Sequence, residues 1–265
     1  MKMCATVIGA CFVLSACGGV PSGSLDADEK ETFDRSAEGQ AALQNAINLA
    51  DSAFDFDPTI DPTKSAAENA AAVQMHVQTQ GQSSSCGTAS LQASLVTVSF
   101  ASMCTLPNGV AVSGTFTVAV SKTGNTVTLA LTFSNLTVNG TDLSGTATFA
   151  TTTGSTFTVA AQLTSKGNSV SAMLTVTGTS NAVSIDGTTT VTKSGAGTNL
   201  TFNNVGWKKG DCYPSSGTLK VGRAALSQTV TFTTTTPSTG KVTVSTGRVT
   251  TSATLPAYGS CPKVA

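Results

Sequence analysis

Few side chains in this 265-residue chain have chemistry to offer, and their spacing narrows what that chemistry is. His76 is the sole histidine. General-base work needs an imidazole beside a nucleophile and an orienting acid, yet no G-x-S-x-G elbow or comparable nucleophile motif accompanies it. It reads as a helix-surface histidine. The sequence also lacks a phosphate loop, a dinucleotide fingerprint and an H-E-x-x-H pair. Asp51, Asp55, Asp57 and Asp61 set four hard oxygen donors within eleven residues, suitable for calcium. Their order omits the D-x-[DN]-x-[DN]-G loop and its closing glutamate. Two Asp-Pro pairs among them are simple helix punctuation. Neither a metal nor a cofactor is expected.

Trp207, Lys208 and Lys209 adjoin Asp211, Cys212 and Tyr213. An aromatic surface with two ammonium groups suits a sugar or an anionic headgroup, through stacking and charge. The competing reading is a Trp that closes one end of the core, with its lysines in solvent. Thr-x-Thr pairs such as Thr146/Thr148 and Thr156/Thr158 suggest a laddered, ice-binding face, but the turns between them vary in length. Threonine is also the ordinary residue of a solvent-facing strand.

A weak internal duplication sits in the same region. Phe133-Ser134-Asn135-Leu136 matches Phe202-Asn203-Asn204-Val205, and Asp142 matches Asp211 at the same offset. Each copy then reaches a Ser-Gly-Thr triplet, Ser144-Gly145-Thr146 and Ser216-Gly217-Thr218. Repeated hairpins with an Asp bonding its own turn account for this. Equivalent ligand positions are the sharper alternative.

The N-terminus carries an address. Met1-Lys2 is basic, Met3 to Val13 is uncharged and apolar, and Leu14-Ser15-Ala16-Cys17 closes the segment. Eleven apolar residues are too short for a permanent span, so this is a secretory signal. Leu14-Ser15-Ala16-Cys17 resembles the lipobox of bacterial lipoproteins. That resemblance implies a cleaved signal peptide over 1–16 and a diacylglyceryl group on Cys17. It also implies export to the bacterial cell envelope. Gly18 rather than aspartate follows the cysteine, which by the same resemblance favours the outer membrane. Two or more acyl chains hold a protein stably to a bilayer.

With Cys4 and Cys11 in the signal and Cys17 lipidated, Cys86, Cys104, Cys212 and Cys261 remain. Four cysteines in an exported chain imply two disulfides, with three possible connectivities. Cys86–Cys104 and Cys212–Cys261 are favoured because each pair brackets one local β segment. A zinc site would want C-x₂-C spacing, which is missing.

The elements that must position these residues follow from pattern. Threonine alone contributes 46 residues, while only 11% of the chain is charged and 5% aromatic. Such a composition suits pleated strands and their turns. Residues 17–33 read as a flexible tether. Residues 34–80 read as an acidic arm of two amphipathic helices. In the first, Asp34 or Ser36 caps a stripe of Leu43, Ala46, Ile47, Ala50 and Phe54. In the second, Asp61 is the N-cap and Pro62 the first helical residue, with Ala66, Ala70, Val73 and Val77 on one face as far as about Thr79. Over 81–265 the period changes to two. Short Gly, Asn and Ser turns separate about eleven strands, too close together for parallel crossovers.

The expected fold is therefore mainly β (α+β), two helices packed on an antiparallel meander. Open barrel, curved sheet and sandwich all remain compatible with the pattern. A transmembrane barrel would need large apolar residues on its outward faces, where these strands offer Thr and Ser.

Formal charges cancel over the whole chain, which argues against a nucleic-acid partner. The cancellation is uneven, with eleven acids and three bases over 17–70, then three acids and ten bases over 71–265. The arm is thus expected to fold onto the body. The expected role is a non-enzymatic structural or interaction one. A carrier that holds an acyl chain or other apolar ligand between helices and sheet is the alternative.

Overall fold

The computed structural model describes residues 27–29, 31–32, 46, 59–84, 86–105, 111–138, 140–179, 182–208, 213–223, 226–247 and 249–255. Signal, Cys17, Lys209, Asp211, Cys212 and Cys261 lie outside them, as do Asp34, Ser36, most of the first expected helix, and Asp51, Asp55 and Asp57.

Alternating sequence becomes alternating burial. Among the described residues thirteen strands form one sheet in strict chain order: β1 (Gly87–Gln92), β2 (Leu95–Thr105), β3 (Ala111–Thr123), β4 (Thr126–Val138), β5 (Thr141–Thr151), β6 (Thr156–Ser165) and β7 (Asn168–Thr179). The order continues through β8 (Ala182–Lys193), β9 (Ala196–Lys208), β10 (Ser216–Arg223), β11 (Leu226–Thr231), β12 (Lys241–Ser245) and β13 (Thr250–Thr254). Adjacent strands pair antiparallel, as hairpin turns this short require. This is one continuous sheet rather than the two facing sheets of a sandwich. Among the described residues its first and last strands do not pair with each other.

Thirteen strands replace the expected eleven for two local reasons. Gly87–Gln92 lacks a strong apolar alternation, because as an edge strand it only half-buries Ala89 and Leu91. The long strand expected over 241–255 is broken by a turn at Gly247, whose φ of 81° is in the left-handed region.

One face of the sheet is apolar and the other polar. Phe100, Phe116 and Phe133 pack ring to ring across β2, β3 and β4, the first pair stacked and the second tilted, with centroids 6.1 and 5.9 Å apart. Behind them the core continues through Leu129, Leu131, Phe149, Phe157 and Leu163. On the opposite face Thr, Ser, Asn and Gln line up across strands, and several bond one another. Gln162 donates to Ser171 at 2.6 Å and Thr190 to Asn199 at 2.9 Å.

Helix α1 (Ala66–Ser84) covers β1, β2 and β3. It begins four residues later than Asp61 allows, because Ser65 and Glu68 form a capping box. Glu68 accepts from the Ser65 backbone N–H at 2.8 Å, and Ser65 Oγ accepts from the Glu68 N–H at 3.2 Å. Asp61 instead makes a tight turn, accepting from the N–H and hydroxyl of Thr63 at 2.9 and 2.6 Å. Fully buried Asn69 locks that turn to the helix. Its amide donates to the carbonyls of Asp61 and Ser65, both at 3.0 Å, and accepts from the Asp61 N–H at 2.8 Å. Ala70, Val73 and Val77 are buried as the stripe predicts, and Ala66 packs half-buried beside them. The helix also shields an open sheet edge, since Gln74 and Gln78 both donate to the outward carbonyl of Ala89.

Cys86 and Cys104 form a disulfide, Cα atoms 5.3 Å apart, that ties the start of β1 to the end of β2. The pairing matches the one favoured from sequence.

Candidate functional site

The inner face can be followed row by row. One row runs Val96, Val118, Leu131, Ala147, Ala161, Ala172, Thr189, Leu200, Val221 and Gln228 across ten strands, β2 to β11. A neighbouring row runs Phe116, Phe133, Gly145, Leu163, Val170, Val191 and Thr198. Both are apolar until β8 and then admit polar side chains. Thr189, Thr198 and Gln228 are buried there, at 1%, 0% and 1% exposure. Thr189 Oγ1, Thr198 Oγ1 and Gln228 Oε1 have no hydrogen-bond partner. A buried polar atom left unpaired costs about 1–3 kcal/mol, so two on neighbouring β8 and β9 and a third on β11 call for a reason.

Part of the reason is the arm. Of the stretch read as a tether, Ala27, Asp28, Glu29, Glu31 and Thr32 are helical, and Glu29 and Thr32 are buried. Gln228 Nε2 donates to the Glu29 carbonyl at 2.8 Å. Arg223, which ends β10, sets its guanidinium 2.9 Å from the Glu31 carboxylate. At the opposite end of the strands, Lys122 donates to the Lys64 carbonyl at 2.8 Å. Gly154 in the β5–β6 turn lets the backbone of buried Ile60 approach, where a Cβ would collide with the Ile60 carbonyl. Ala46 is helical and buried in the core, as the stripe of the first helix requires. The arm does fold onto the body, by apolar burial and hydrogen bonds as well as charge.

The aromatic cluster is divided by the strand's alternation. Trp207 and Tyr213 are half-buried against the core, while Lys208 is exposed. The Tyr213 ring lies against Gly240, its hydroxyl donates to the Leu255 carbonyl at 3.5 Å, and burial raises its pKa. His76 is half-buried on α1. Among the described residues no three His, Cys, Asp or Glu side chains gather into a metal-binding group, and no helix is long and apolar enough to cross a membrane.

The internal duplication marks β-bulges. Pairing slips between Phe133 and Leu136 on β4, and again opposite Asn203–Gly206 on β9. Gly145 and Gly217 stand opposite these slips with φ of 117° and 91°. A Cβ on Gly145 would strike the Gln162 carbonyl, and one on Gly217 the Asn204 carbonyl. Asp142 accepts from Thr137 across its own turn at 3.1 Å. Asp186, the remaining acid of the body, accepts the Asn204 N–H at 2.7 Å and so clamps the second bulge. The repeat therefore carries strand bending. The polar group on β8–β11 left no such trace, since its threonines are three among 46 until the register aligns them.

Compared with protein families, curated proteins and solved structures, the chain matches none of them.

Proposed function

We propose that the protein is an exported lipoprotein, anchored to the bacterial cell envelope through Cys17 and favouring the outer membrane. Its β body takes a non-enzymatic structural or interaction role. The observation that carries this reading is the Cys86–Cys104 disulfide. Such bonds persist in oxidising compartments and are rare in a reducing cytosol, in agreement with the lipobox-like Leu14-Ser15-Ala16-Cys17.

Mass spectrometry of the protein purified from membranes tests the proposal. The expected mature chain begins at an acylated Cys17 bearing palmitate-type chains, with Cys212 joined to Cys261. A mature chain with an unmodified N-terminus, found only in the soluble fraction, would refute the anchor.

One observation favours the carrier as a second reading. One inner row is apolar from β2 to β7, with the small side chains of Ala147, Ala161 and Ala172, and then carries Thr189 and Gln228 alongside Leu200 and Val221. Small and polar side chains in one row suit an amphiphile. Co-purification of a lipid with the protein supports this reading; an extract free of lipid removes it.

A further inference from the structure

We propose that one rim of the sheet, the one carrying the β6–β7, β8–β9 and β10–β11 turns, rests on the membrane with Lys166 and Lys193 against anionic lipid headgroups. The inference rests on the anchored reading of Cys17. In a hairpin meander successive turns alternate between the two ends of the strands. Lys166, Lys193 and Arg223 therefore share one end, and Lys122, Lys208 and Lys241 the other.

The arm decides which end is near the lipid. Glu31 meets Arg223 where β10 turns into β11, and the Glu29 carbonyl meets Gln228 close to the start of β11. The chain thus enters the fold at the Lys166 end. Ala27 lies ten residues after Cys17, a stretch that reaches at most about 35 Å whatever its path. β9 alone runs thirteen residues from rim to rim, or roughly 40 Å. Cys17 reaches the near rim with length to spare, while the far rim would take all of that stretch drawn straight.

Turn geometry and charge suit the near rim to a lipid surface. Lys166-Gly167 and Ser194-Gly195 are two-residue hairpin turns, with φ of 49°, 74°, 50° and 80°. Ser169 pairs with Thr192, so the two turns end at the same register with no long loop between them. Asn-Gly is the ordinary pair for such a turn, and a lysine at positive φ strains the backbone. The turn gains nothing from the exposed Lys166 in return. An anionic membrane does, because it attracts each nearby ammonium group. Arg223 is neutralised by Glu31 and adds nothing to this attraction. The acids of this end, Asp28, Glu29 and Glu31 on the arm and Asp142 after the β4–β5 turn, flank the β6–β9 stretch on either side.

Amine acylation followed by mass spectrometry tests the rim on native lysines. The lipidated full chain on mixed phosphatidylcholine–phosphatidylglycerol vesicles is compared with the Cys17→Ser chain free in solution. On vesicles, modification of Lys166 and Lys193 should slow about fivefold, the attraction of one lysine to an anionic surface expressed as a ratio. Lys208 and Lys241 at the far rim should react unchanged. Equal slowing at both rims, slowing at Lys208 and Lys241 instead, or no slowing on a chain that floats with the vesicles overturns the rim and leaves the anchor standing. A chain that does not float with the vesicles removes anchor and rim together. Lys166→Glu should weaken the protection of Lys193, as should vesicles of phosphatidylcholine alone. Protection undiminished in both overturns the part given to the ammonium groups.

Discussion

Gln228 on β11 and Glu29 near the start of the chain are joined by a 2.8 Å hydrogen bond across 199 residues of sequence. A buried side chain thereby fixes the place where the arm enters the fold, twelve residues after Cys17. Gln228→Ala would remove this bond to the buried Glu29 carbonyl. The expected cost of the hydrogen bond is about 0.5–1.5 kcal/mol, with faster hydrogen exchange at Ala27–Thr32 than elsewhere. Uniform exchange across arm and sheet would show that this bond does not hold the arm.

The ion pair beside it is expected to matter less. Arg223 and Glu31 are 23% and 47% exposed, and pairs of that kind contribute about 0–1 kcal/mol and weaken with salt. Glu31→Gln should lower stability by less than about 1 kcal/mol at low salt, and by nothing measurable in molar salt. An arm that detaches at high salt in the unaltered protein would mean charge outweighs apolar burial.

Gly145 and Gly217 should be intolerant of any side chain. Alanine at either meets a neighbouring strand's carbonyl and a left-handed backbone together, so a loss above about 2 kcal/mol is expected. Gly124 shares the positive φ, at 59°, but a Cβ there meets nothing. Gly124→Ala should cost only about 1 kcal/mol. Denaturant midpoints of the three variants check the contrast.

Removal of the disulfide by a Cys86→Ser, Cys104→Ser double substitution should destabilise the protein by about 3 kcal/mol, the loop-closure entropy of a short loop. The separation here is 18 residues. Chemical denaturation under non-reducing conditions measures it directly.

The α1 cap gives a pH signature. Hydrogen bonds from the Ser65 hydroxyl and N–H hold the Glu68 carboxyl below its ordinary 4.5, and the Thr63 hydroxyl and N–H lower Asp61 likewise. For a depressed carboxyl, the stabilisation is present above the unfolded-state value and is lost as pH falls through the folded one. Glu68→Ala should lower Tm at pH 7, and the gap should close as the pH drops well below 4.5. A gap unchanged at low pH would show that the charged carboxylate is not what caps the helix.

Much of this architecture is local and therefore legible in the sequence. Period-two runs with Gly-containing turns dictate a hairpin meander, because neighbouring strands joined by two residues have no other way to pair. Val73 and Val77 declare the buried face of α1 by spacing alone, and Cys86–Cys104 follows from the pair's position around one hairpin. The helix start was misplaced because Asp61-Pro62 and Ser65-x-x-Glu68 are both valid local signals. Asn69, which needs the Asp61 turn outside the helix, decides between them.

Other features have no local signature. Nothing near Glu29 marks it as a seat on β11 rather than part of a tether, and nothing near Thr189 or Thr198 sets them apart from other strand threonines. Their unpaired burial emerges only when cross-strand register turns both onto the inner face of neighbouring strands. Strand identity depends on the few residues that make each strand and its turn, so composition and period determine it. Which side chains meet on the inner face depends on the bulges at Phe133, Asn203 and their opposing glycines, each of which shifts every later position in its row. That cumulative displacement exists only in the assembled sheet.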